Sequence, residues 1–84
     1  MLTDGASAEV KVGNEHLRLF SEHNAPGVQA SVYNVATKIW IARSEPVEDI
    51  ELGKERAAGH ARAYLKVAAN SDLPLLTWKE SRSR

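Results

Sequence analysis

Residues 9–43, EVKVGNEHLRLFSEHNAPGVQASVYNVATKIWIAR, decide the fold. Apolar and polar residues alternate along this stretch with a period of two, the spacing that sends neighbouring side chains to opposite faces of a sheet. One face collects Val10, Val12, Leu17, Leu19, Val28, Ala30, Val32, Ile39 and Ile41. The other collects Lys11, His16, Arg18, Phe20, Gln29, Ser31, Tyr33, Lys38 and Trp40. The first set has no polar member and reads as a core face. The second mixes three large rings with basic residues, which a purely solvated surface does not need.

Turn residues cut the stretch into strands. Val10-Lys11-Val12 and the run from His16 to Phe20 flank Gly13-Asn14, a pair that tolerates positive φ, so together they read as a hairpin. Ser21 to Gly27 is a cluster of turn residues, and its closing Pro26-Gly27 suits a type II turn. Val28 to Tyr33 and Lys38 to Ala42 form the next two strands, rich in β-branched and aromatic residues, with Asn34 to Thr37 as the loop between them.

Downstream, the pattern changes to that of a helix. Ser44 to Glu48 reads as its start, with Pro46 at the first helical position, where a missing N–H costs nothing. Acidic residues crowd the first turns, Arg62 and Lys66 come late, and Asn70 suits a left-handed terminator. The expected length is about 24 residues, or roughly 36 Å. Val47, Ile50, Ala57, Ala61, Tyr64, Leu65 and Ala68 make one apolar stripe, to be laid on the core face. Gly53 costs about 1 kcal/mol inside a helix and suggests a bend. It also recurs with Ala57 and Ala61 as a ridge of small residues that allows close approach to the sheet. Leu52, Gly59 and Ala63, beside Arg56 and Val67, form an opposite surface able to receive another helix.

The segment Leu73 to Trp78 is expected to return as a short fifth strand, as an apolar strap, or as an arm exchanged between subunits. Residues 1–8 and 79–84 read as flexible ends. The expected fold is therefore one α+β domain over residues 1–84. It is an antiparallel meander of three to five strands with one long C-terminal helix on one face. This order of elements is similar to that of small bacterial regulatory and antitoxin-like domains, a likeness of fold from which no function follows.

Composition narrows the function classes. Eleven acidic and eleven basic residues balance to zero, which argues against a protein whose main task is gripping a polyanion. There is no cysteine to supply a disulfide, a thiolate metal site or a thiol nucleophile. No apolar run approaches the ~20 residues of a membrane span, and the first residues lack the pattern of a signal peptide. The expected location is the reducing cytoplasm. His16, His23 and His60 lack metal-ligand spacing, and His60 is expected to be partly buried at the edge of the helical stripe. No serine, histidine or acid lies in a motif that fixes catalytic geometry, so neither a catalytic site nor a cofactor is expected.

The aromatic face remains. A non-catalytic binding module is expected to work through Phe20, Tyr33 and Trp40, with Arg18 and Lys38 fixing register, against a second copy or a protein partner. Two alternatives compete. The interleaving of rings and cations resembles that of RNA-recognition sheets, although their glycine-aromatic signature is absent, and implies single-stranded nucleic acid as the ligand. Alternatively, the segment around Trp78 folds back over the rings. The basic residues Lys79, Arg82 and Arg84 read as a solvated terminus.

Overall fold

The computed structural model describes residues 3–24 and 27–82. Along the chain these form β1 (Thr3–Val12), β2 (Glu15–Asn24), β3 (Gly27–Asn34), β4 (Ile39–Arg43), α1 (Ile50–Ala68) and β5 (Lys79–Arg82). The strands make one sheet in the order β4-β3-β2-β1-β5, with every neighbouring pair antiparallel. The first four strands are the meander read from the sequence. Gly13 takes φ +58 at the first turn, a conformation open to glycine without strain. The turn at Pro26 lies outside the described residues.

Pairing extends the sheet beyond the alternating stretch. Ser21 to Asn24, expected as a turn, continue β2 opposite Gly27 to Ala30. Thr3 to Ala8 are not a frayed end but the first half of β1, held by β2 on one side and β5 on the other. Ala6 and Ala8 are buried and prolong the core face past Val10. Their weak strand propensity is overridden by two-sided pairing. Lys79 to Arg82, expected as a flexible tail, form β5, an edge strand paired with β1.

Leu73 to Trp78 forms no strand; it runs as a strap on the core side of the sheet, and the final strand follows it. Leu73, Leu76 and Trp78 pack against the core, while Leu75 points outward at 99% exposure.

The helix covers one face. Val10, Leu17, Leu19, Ala30 and Val32 from the sheet meet Ala57, Ala61 and Leu65 from α1. Gly53 explains how close the two layers come. A Cβ at this position would lie 2.1 Å from Ser21 Oγ and 2.9 Å from Val28 Cγ1. Ser21 is fully buried and donates instead to the Ile50 carbonyl at 2.8 Å.

The helix starts later than its proline suggested. Val47 stays extended because it exchanges two backbone hydrogen bonds with Val28, at 2.8 and 2.9 Å. Asp49 is the cap, accepting from Leu52 N–H at 2.8 Å. The helix ends as expected, with Asn70 at φ +48 and Ser71 N–H returning to the Leu65 carbonyl. His60 is exposed rather than half-buried.

Asn34, Glu15 and Tyr64 tie the helix to the sheet. Tyr64 donates to Glu15 Oε1 at 2.7 Å, and Asn34 Nδ2 donates to the Tyr64 hydroxyl at 3.2 Å. Donation to a carboxylate holds the Tyr64 phenol above its ordinary pKa, with partial burial adding to the effect.

Candidate functional site

The face opposite α1 is built row by row from the strand register. One row runs Trp40, Tyr33, Arg18, Glu9 across β4, β3, β2 and β1. The next runs Arg43, Ser31, Phe20, Ser7, Lys79 across all five strands. Flanking them, Lys11 and His16 lie opposite each other on one side, and Glu22 and Gln29 on the other. Helix α1 leaves this whole face uncovered.

The three expected rings form one cluster. Trp40 sits 4.8 Å from Tyr33 and 5.7 Å from Phe20, centroid to centroid, tilted by 55° and 52°. These are edge-biased contacts of the kind aromatic pairs prefer. Arg18 lies over Phe20 at 5.9 Å, and Arg43 over Trp40 at 4.5 Å. Trp40 remains 43% exposed.

Of the residues expected to form the site, Phe20, Tyr33, Trp40 and Arg18 converge. Lys38 does not join the sheet. It occupies a left-handed loop position at φ +62, closing the turn through its N–H to the Asn34 carbonyl at 2.8 Å. Arg43 joins Arg18 as a cation that the sheet supplies to the rings. A bulge opposite Val32 and Tyr33 explains the exchange. Strict alternation from Trp40 places Arg43 on the helix side. The extra residue shifts the parity, so Ala42 pairs with Val32 in the core layer and Arg43 with Ser31 on the open face. No turn residue marks that bulge in the sequence. Ile39, assigned to the core face, begins an edge strand with a neighbour on one side only and is 61% exposed.

The C-terminal segment does not shield the rings. Trp78 packs on the core, with Lys54 of α1 at 5.8 Å from its ring, and so belongs to the helix side. Its neighbours Thr77 and Lys79 border an open depression of ≈ 200 Å³ on the other side, together with Ser7, Glu9 and Arg18. Glu9 is hydrogen-bonded to His16, and this bond holds its carboxyl below the usual carboxylate range. Among the described residues no group of three or more acidic or histidine side chains is placed to hold a metal ion, and no helix is long and apolar enough to cross a membrane.

No protein-family model, no curated protein and no solved structure matches the chain. The chemistry of this face follows from its geometry alone.

Proposed function

We propose that the protein is a non-catalytic binding module that acts by protein contact through its open sheet face, with self-association as the leading case. One observation carries this reading: a clustered, partly exposed set of three rings, flanked by arginines, on a face that neither the helix nor the strap covers. Aromatic and arginine side chains are enriched in the buried centres of protein interfaces, where they contribute most of the binding energy.

Ring geometry favours this reading over single-stranded nucleic acid. The open face does carry Lys11, Arg18, Arg43 and Lys79 against Glu9 and Glu22. A base-stacking platform, however, presents ring faces to the ligand. Here the rings lean on each other at more than 50°, and Arg43 occupies a face of Trp40. Rings packed this way offer edges rather than open faces, which suits a protein surface better than a row of bases.

Replacing Tyr33 and Trp40 together by alanine tests the proposal. The double variant is expected to keep its helix and sheet content and to lose self-association. Unchanged oligomeric state and partner binding would refute it. Oligonucleotide binding that weakens steeply with salt and quenches Trp40 fluorescence would move the assignment to nucleic acid.

A further inference from the structure

We infer that the occupant of the open face is a second copy of this chain, docked sheet to sheet about a two-fold axis over Phe20, with Arg18 of each copy paired to Glu22 of the other. This register rests on the reading above and adds the identity of the partner and the way it is aligned.

The central strand carries the signal. β2 is third in the five-strand order, and alternation sends Arg18, Phe20 and Glu22 to the open face. Along one strand this gives a cation, a ring and an anion. A two-fold axis across the strands at Phe20 reverses the direction of β2 in the second copy. Arg18 then lies over Glu22 on one side of the ring, and Glu22 over Arg18 on the other. The charges along β2 are self-complementary, as the centre of an isologous interface requires.

Within one copy the two charges stand four residues apart, roughly 13 Å along the strand, too far to neutralise each other. Both are exposed, and Arg18 leans over Phe20. Stacked sheets lie about 10 Å apart, a gap that the long side chains of arginine and glutamate bridge. The same axis sets each member of the Phe20 row against its own counterpart: ring meets ring at the centre, the small residues Ser31 and Ser7 leave room beside it, and the cations Arg43 and Lys79 meet like charges at the ends of the row.

Charge reversal tests the register directly. Arg18→Glu places two acids against two acids across the axis, and Glu22→Arg places cations against cations. Each single variant is expected to associate at least about tenfold more weakly than wild type in sedimentation or light scattering at low salt. An equimolar mixture of the two restores the dimer as a heterodimer. The double variant R18E/E22R restores it as a homodimer. Circular dichroism of each variant confirms that the fold is retained, since both side chains are exposed.

If both single variants stay as dimeric as wild type while the Tyr33/Trp40 double variant is monomeric, the Phe20 axis is wrong and the contact face stands. Concentration-dependent protection of β4 backbone amides from hydrogen exchange would likewise replace this register with edge-to-edge pairing. A wild-type chain that stays monomeric at every concentration overturns the register and the self-association reading together.

Discussion

Gly53 shows how one residue sets the distance between two layers. Helix propensity alone favours alanine there by about 1 kcal/mol. The space does not, because a methyl group would meet Ser21 Oγ and Val28 Cγ1 well inside contact distance. Overpacking of this kind costs roughly 1–3 kcal/mol and outweighs the propensity gain. Gly53→Ala is therefore expected to lower Tm by several degrees in a thermal melt. An unchanged or higher Tm would mean that the helix shifts at little cost. The recurrence of Gly53, Ala57 and Ala61 makes this close approach legible in the sequence, whereas the specific neighbour, Ser21, is hidden in what reads as a turn. Arg43 escapes a sequence reading for the opposite reason. Its face depends on a bulge, and one uncounted residue reverses every assignment after it.

At the scale of elements, the alternating stretch specifies four strands and their order, because a single buried face fixes register strongly. The ends of the sheet are not legible in the same way. β1 begins in small residues, and β5 is made only of charged and polar ones. Both are ordered by the strand beside them rather than by their own propensity.

Helix α1 owes part of its seating to the polar link between Tyr64, Glu15 and Asn34, which gives a pH signature. The Tyr64 pKa is raised in the folded chain, so its contribution to stability is complete below the unfolded value near 10. That contribution is lost as pH rises through the higher folded value. Tyr64→Phe is expected to cost roughly 1–2 kcal/mol at neutral pH. It should also remove this part of the alkaline loss of stability. Wild-type and variant denaturation curves collected across that range should converge as pH rises; a constant separation would show that the phenol is not linked to folding.

At the scale of the whole molecule, one helix covers one side of a five-stranded sheet and leaves the other side bare. The bare side holds the protein's ring cluster, two stacked arginines and a central strand whose charges are antisymmetric about Phe20. A small domain with a modest core gains stability from any partner that binds its folded form, and the open face is the contact surface proposed for one. The central claim is that this face joins two copies of the chain. Solution mass by light scattering coupled to size exclusion, followed over a wide range of concentration, tests it most directly. The account predicts a species of twice 9.2 kDa that dissociates on dilution and loosens with added salt. A mass of 9.2 kDa at every concentration would contradict it.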